Sequence, residues 1–315
     1  MKAIDHTFAE IEQPRPSPQG HDLLVKVEAI SVNPVDYKQR KQATGSRVLG
    51  WDAAGTVEAV GSECTLFKRG DEVYYAGDVT RPGCNSELHL VDERIVGRKP
   101  KSLDFAQAAA MPLTSITAWE AFHDRMKVQS GKRILIISGA GGVGSIGIQL
   151  AKAAGLHVIA TASRPETIAW VRELGADEVA DHRKPLAQQV KEVDYVANFS
   201  GDLDAYWDAM SQLVAPQGAV VAIVANQKPL SMDLVRSKSA SVCWELMFTR
   251  PRFKTPDMIE QHRLLNRVGE WLDQKKLRCT LKETLSPISG ANLRKAHEKL
   301  ESGAMIGKLV LKGWR

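Results

Sequence analysis

Between Asp22 and Ser31 the apolar residues Val25, Val27 and Ala29 alternate with Lys26 and Glu28, the period of two expected of a half-buried strand. Short β-like runs follow at Gly55–Val60, Asp71–Tyr75 and Glu87–Val91, set between turn residues at Gly50, Gly61, Gly70, Gly77 and Pro82-Gly83. The first 110 residues therefore read as a compact, mostly antiparallel β domain. From about residue 115 strands alternate with helical patterns, which predicts βαβ units and a parallel sheet. Arg133–Ser138 is a near-continuous apolar strand, and Val143, Ile146, Leu150 and Ala154 then recur at helical spacing. His157–Thr161 is a second strand and 165–174 a helix with Ile168, Val171 and Leu174 on one face; further strands are expected at 193–199, 218–225 and 240–247. The tail predicts helices over 255–275, with Met258, Ile259, Leu265, Val268 and Leu272 as its apolar stripe, and over 290–301, then a strand at Lys308–Leu311. Its strand-rich end suggests a return to the first domain, giving 1–114, an inserted doubly wound domain at 115–253, and 254–315. The fold class is α/β.

Between the strand ending at Ser138 and the helical pattern that follows lies Gly139-Ala140-Gly141-Gly142-Val143-Gly144, a GxGxxG loop in the context that gives it meaning. Such glycines allow a tight turn, close approach of backbone N–H groups to a pyrophosphate, and close helix–strand packing, while the helix N-terminus adds partial positive charge. A dinucleotide is the expected ligand. An NAD-preferring chain would place Asp or Glu about twenty residues on, to bind the ribose hydroxyls. Here that place reads Thr161-Ala162-Ser163-Arg164. A hydroxyl and a guanidinium suit a 2′-phosphate, so NADPH is favoured. Ser163-x-x-Glu166 with Pro165 also reads as a helix capping box, and the two readings are compatible. His182 and Arg183, after the third strand, are candidates to flank the same phosphate.

The chain has 315 residues, 43% hydrophobic and 25% charged, which excludes disorder as the main state. Its net charge of +5 is spread along the chain, without the basic stripe of a nucleic-acid binder. Cys64, Cys84, Cys243 and Cys279 form no CxxC pair, which argues against a zinc ribbon or disulfide scaffold and for a reducing, cytoplasmic setting. The first residues hold no apolar signal core, and no secretory signal is expected. Ile134–Ala151 is uncharged over a membrane-span length, but five glycines interrupt it, so no membrane association is expected.

Several segments together resemble the medium-chain dehydrogenase/reductases, in particular their zinc-free quinone oxidoreductase branch and the zinc-type alcohol dehydrogenase-like group. They are Asn33-Pro-Val-Asp-Tyr-Lys38, Gly50-Trp-Asp-Ala-Ala-Gly55, Ala110-Met-Pro-Leu-Thr114, Gly139–Gly144 and Lys238–Phe248. The resemblance covers nearly the whole chain. It implies a GroES-like β-rich catalytic domain, a Rossmann domain between its two parts, a cleft between them, and a homodimer formed through the last Rossmann strand near 240–247.

Zinc-dependent members hold a catalytic zinc with Cys, His and Cys. In this sequence the first position falls at Asn33 and the second at Trp51; the third lies near Pro112–Thr114, with no cysteine. No four-cysteine lobe and no paired histidines occur either, so no metal is expected. Without a Lewis acid, alcohol oxidation loses the group that stabilises an alkoxide, whereas a quinone or an α,β-unsaturated carbonyl (an enone or enal) accepts hydride readily. The protein then needs alignment and a donor to the oxygen that gains charge. Asn33 and Lys38 suit that donor role, with Asp36, Tyr37 and Trp51 beside them; equally, Asn33-Pro34 reads as a turn, Lys38 as a solvated charge and Trp51 as core. By the same resemblance Thr114, Val143, Phe199, Ser200 and Val224 border the cofactor. Tyr37-x-x-x-Lys41 mimics a short-chain dehydrogenase motif but precedes the glycine loop, and no GxSxG supports a hydrolase. An alcohol dehydrogenase and a low-turnover NADPH-binding redox sensor are the alternatives.

Overall fold

A computed structural model describes residues 1–314. The chain forms two compact units, one built from Met1–Ile116 together with the chain from Phe248 onward, the other from Thr117–Met247. The second crossing lies before the short helix Thr249–Phe253, not after it as the residue pattern suggested. Phe248 packs edge-on against Trp51 at 6.2 Å and Arg250 pairs with Asp257 at 3.0 Å, contacts that tie this segment to the first unit.

The inserted unit carries six parallel strands, in the order 178–180, 157–161, 133–137, 193–198, 214–222, 241–244. Numbered along the chain this is 3-2-1-4-5-6, the doubly wound order whose direction reverses between the first and fourth strands. Ile134–Ile137 are fully buried because helices cover both faces of the sheet, which explains their unbroken apolar run. The fifth strand starts at Val214 and ends at Ala222, and the sixth is shorter than its apolar run suggested, Ser241–Trp244. That last strand is an edge, with Trp244 and Leu246 exposed and Glu245 turned inward. Glu245 accepts from Arg125 at 2.8 Å and hydrogen-bonds Glu120 in a π-helical turn, Glu120–Arg125. Burial, then Glu120, push the Glu245 carboxyl up to about 9.

In the first unit Asp22–Ser31 is the central strand, paired antiparallel with 53–60, 88–92 and 308–312. Leu23, Val25 and Val27 enter the core while Lys26 points out. The C-terminal strand Lys308–Lys312 thus lies beside Asp22–Ser31, and Leu281–Leu285 extends the sheet beyond it. The helix Glu260–Asp273 buries Leu264, Leu265, Val268 and Leu272 and covers the sheet's other end, where Tyr74 donates to the Leu265 carbonyl at 2.6 Å. Met258 and Ile259 precede this helix instead of belonging to it. No helix among the described residues is long and apolar enough to cross a membrane.

Candidate functional site

In the inserted unit the glycine loop follows the first strand, and Phe199-Ser200 follow the fourth, its direct neighbour. This is the switch point at which doubly wound sheets bind ligands. The left-handed residue of the turn is Ser138 (φ +65°), not the first glycine; its N–H donates to the Thr161 hydroxyl at 2.9 Å. Gly139 is required for a different reason. A Cβ there would lie 2.8 Å from the Ala160 Cβ, against the second strand. At Gly144 a Cβ would lie 2.2 Å from the Ser138 carbonyl oxygen, so only glycine lets the helix Gly142–Ala153 start this close to the strand. Gly141 caps that helix without a side chain, leaving the first-turn N–H groups of Gly142, Val143 and Gly144 for a ligand anion. These features form a cradle that fits a pyrophosphate.

At the end of the second strand the Ser163 hydroxyl lies 3.2 Å from His182 Nε2, and Arg183 donates to the Ser163 carbonyl at 2.8 Å. Arg183 also grips Asp181 with two bonds of 3.0 Å, and this bonding holds the Asp181 carboxyl down to about 2. Burial lowers the pKa of His182, with Arg183 and Arg164 adding to the effect, so His182 is a neutral hydrogen-bonding group there. The capping box is displaced by one residue from its expected place. Pro165 occupies the first helical position, so Arg164 is the N-cap and its N–H donates to the Thr167 hydroxyl at 3.0 Å. Arg164 pairs with Glu166 at 2.8 Å. The Ser163 side chain is thereby left outside the cap.

Val143 and Val224 are half-buried. Ser200 closes a turn through Asn198 Oδ1 at 2.7 Å. Phe199 is buried, its ring 5.8 Å from that of Phe122 and against Gly147, where a Cβ would lie 2.9 Å away. It supports the helix from beneath and is not an open wall of the site. Thr114 lies in the first unit, buried, with its hydroxyl donating to the Met111 carbonyl at 3.2 Å.

Asn33, Asp36, Tyr37 and Lys38 open the helix Pro34–Gln42 of the first unit. The Asn33 N–H donates to Asp36 Oδ2 at 2.6 Å, while the Asn33 amide turns inward: Nδ2 donates to Asp52 Oδ2 at 2.9 Å and Oδ1 accepts from Lys308. Asn33 is 1% exposed. Its strong bonds are all internal, so it cannot supply the donor expected of it. Asp36 is equally buried, and burial pushes its carboxyl up to about 7 against the opposing pull of the Asn33 N–H and of Lys308. Trp51 is a core residue, 1% exposed, with its indole N–H on the Asp78 carbonyl at 3.2 Å; together with the burial of Asp36 this removes two expected pocket walls. Tyr37 and Lys38 remain accessible. Burial around the Lys38 amine lowers its pKa, and it makes no ion pair among the described residues.

Two members of this cluster, Asp52 and Lys308, are not among the site residues expected from the sequence. Asp52 accepts from the Leu113 N–H at 2.8 Å with one oxygen, and from Asn33 and Lys308 (3.1 Å) with the other. Lys308 also donates to the Val32 carbonyl at 2.9 Å. Burial raises the Asp52 pKa while Lys308 and Asn33 oppose it. The available signals were the Gly50–Gly55 segment that holds Asp52, and an ammonium opening the apolar run Lys308–Leu311.

This donor set does not fit a zinc ion. Asn33 is held by an ammonium that would repel a dication, and Trp51 offers no ligand atom. Burial keeps the Cys84 thiol protonated, with its Sγ on the Asp52 carbonyl at 3.5 Å.

Comparison with known proteins gives the following. Residues 19–101 match the alcohol dehydrogenase GroES-like domain family and 174–311 the zinc-binding dehydrogenase family. A zinc-type alcohol dehydrogenase-like protein of Staphylococcus aureus (strain COL) is 44% identical, over 96% of this chain and 94% of its own. The 2-methylene-furan-3-one reductase of Solanum lycopersicum is 30% identical, over 94% of this chain and 73% of its own. A crystal structure from Rhizobium etli CFN 42, provisionally assigned as a zinc-dependent alcohol dehydrogenase, superposes with TM-score 0.95 at 50% identity, covering 100% and 98% of the two chains. The quinone oxidoreductase from Coxiella burnetii gives 0.85 at 27%, covering 100% and 99%. A mycobacterial protein complexed with NADPH gives 0.85 at 25%, covering 99% and 100%.

Proposed function

The chain belongs to the medium-chain dehydrogenase/reductase superfamily, and from that premise we propose that it is an NADPH-dependent, metal-independent reductase of quinones or α,β-unsaturated carbonyls. The observation that carries this reading is the buried pairing of Asn33 with Lys308 and Asp52, where a metal ligand would otherwise be needed. An acceptor that takes hydride without a Lewis acid must already be electron-poor. The reduced nicotinamide supplies the hydride when bound. The chain's own part is to hold the pyrophosphate on the N–H groups of Gly142–Gly144, and to hold the 2′-phosphate with Ser163, Arg164 and Arg183, His182 donating beside them. Lys38 is the accessible donor for the acceptor oxygen that gains charge, and Tyr37 flanks it. The names of the tomato and Coxiella relatives agree with both acceptor classes.

The test is NADPH consumption with a panel of quinones and enones, in the presence and absence of a chelator. Turnover that survives chelation supports the reading; tight NADPH binding with no acceptor turned over would instead support a redox sensor. The names of the staphylococcal relatives favour a second reading, an alcohol dehydrogenase, which predicts alcohol oxidation that chelation abolishes. We further propose a homodimer in which Ser241–Trp244 pairs with the same strand of a second copy, covering Trp244 and Leu246. Trp244→Glu should then shift the light-scattering mass from dimer to monomer. Four unpaired cysteines agree with a cytoplasmic setting.

A further inference from the structure

The first unit contains a complete buried charge network that the proposed reaction does not itself use. The Lys308 ammonium has three acceptors, the Val32 carbonyl, Asn33 Oδ1 and Asp52 Oδ2, which satisfy its three N–H bonds. Lys308 and Asp52 are 3% and 0% exposed. A buried ion pair of this kind adds little net stability, because desolvating both ions offsets their attraction. What it does impose is geometry. With Lys308 on one side and Asp52 on the other, only one orientation of the Asn33 amide works, since the flipped amide would aim its NH2 group at the ammonium and its oxygen at the carboxylate. Fixing Asn33 fixes the first turn of the helix Pro34–Gln42 through the bond from the Asn33 N–H to Asp36, and Lys38 follows within that turn and the next.

We propose that Lys308 is a positioning residue for the acceptor side of the reaction: the last strand of the chain, through its buried ammonium, sets the orientation of Asn33 and so of the helix that presents Tyr37 and Lys38. The inference rests on the reductase reading for its effect on turnover but not for its effect on structure.

The experiment compares wild type, Lys308→Met, and the double variant Asp52→Asn/Lys308→Met, which removes both charges with little change of shape. If the pair only balanced charge, the double variant would recover both melting temperature and turnover. Positioning predicts that it recovers the melting temperature, binds NADPH within about twofold of wild type, and still shows kcat lowered by at least about tenfold. Wild-type kcat in the double variant overturns the proposal. A second readout needs no substrate. Hydrogen exchange of amides 33–42 in the double variant should accelerate by at least about tenfold while the Gly139–Ala153 segment stays unchanged. Unchanged exchange at 33–42 overturns the proposal even if no acceptor is ever found, whereas absence of turnover in wild type with accelerated exchange in the variant counts against the reductase reading alone. Loss of Lys308 also removes an attraction that lowers the Asp36 pKa, so the carboxyl carbon of Asp36 in Lys308→Met, followed by NMR, should titrate at higher pH than in wild type. Titration at the wild-type pH would count against coupling of Lys308 to this turn.

Discussion

The glycine loop and the Asn33–Asp52–Lys308 network are built in opposite ways. The loop is made of backbone from one short stretch, and its glycines act by what they lack. A methyl group at Gly144 would meet a carbonyl oxygen at 2.2 Å, yet no side chain of the loop need carry chemistry. The network is made of side chains from distant places: Asp52 bonds partners 19, 61 and 256 residues away. A backbone site tolerates no added atoms, whereas a buried side-chain site tolerates no lost partner. Changes that delete a group should therefore damage the network most, and changes that add one should damage the loop.

The largest effect expected is from Asp52→Ala, which leaves the Lys308 ammonium buried without its counter-ion; denaturant unfolding should show a loss of about 3–5 kcal/mol. A loss below 1 kcal/mol would mean that water reaches the ammonium. Next is a pH effect at Asp36. Its carboxyl sits at about 7 in the folded protein against 3.8 as an ordinary group, so between these values the folded state binds the extra proton. Wild-type stability should accordingly fall, relative to Asp36→Asn, as pH rises from about 4 to about 7, by a total on the order of 4 kcal/mol, and then level off. A parallel pH dependence in the two proteins would show that Asp36 ionises normally. Gly144→Ala should come third, with strain on the order of 1–3 kcal/mol at the loop. Its signature is weaker NADPH binding in a fluorescence titration with the acceptor side unaffected. The smallest change should follow Arg183→Ala or Ser163→Ala. Each removes one group of the proposed 2′-phosphate site and, on that proposal, should lower the affinity for NADPH relative to NADH by about five- to thirtyfold, from the ratio of the two dissociation constants. An unchanged ratio would move the 2′-phosphate away from these residues.

The inserted unit was legible in its strands and in the two helices that follow the first and second of them, whereas the short helices Trp207–Leu213 and Asp233–Ser237 were not foreseen. Its strands are short apolar runs, its helices carry apolar residues at helical spacing, and the glycine loop stands where a strand meets a helix. The errors there were local and have local causes. Pro165 moved the cap from Ser163 to Arg164, and the turn strain fell on Ser138 because Gly139 is needed for packing against Ala160. Site residues of the first unit were harder to read. Asn33 and Trp51 are expected at the site from the sequence but lie buried, because whether a residue faces a ligand or the core depends on neighbours that sequence order does not reveal. Asp52 stands in the sequence only as part of the Gly50–Gly55 segment, and Lys308 as the polar start of an ordinary strand.

The sequence by itself determined the two-part architecture, the parallel sheet and the glycine turn between its first strand and the following helix, because period, glycine spacing and strand–helix alternation are properties of adjacent residues. Only the tertiary structure decided which polar groups near Asn33 are accessible and which are locked inside. That choice depends on a strand near the C-terminus, Lys308–Lys312, lying beside the Asp22–Ser31 strand and bringing an ammonium to a carboxylate 256 residues away. The orientation of Asn33 is set by that pairing and by no local pattern, while burial raises the Asp36 pKa against the pull of Lys308 and of the Asn33 N–H.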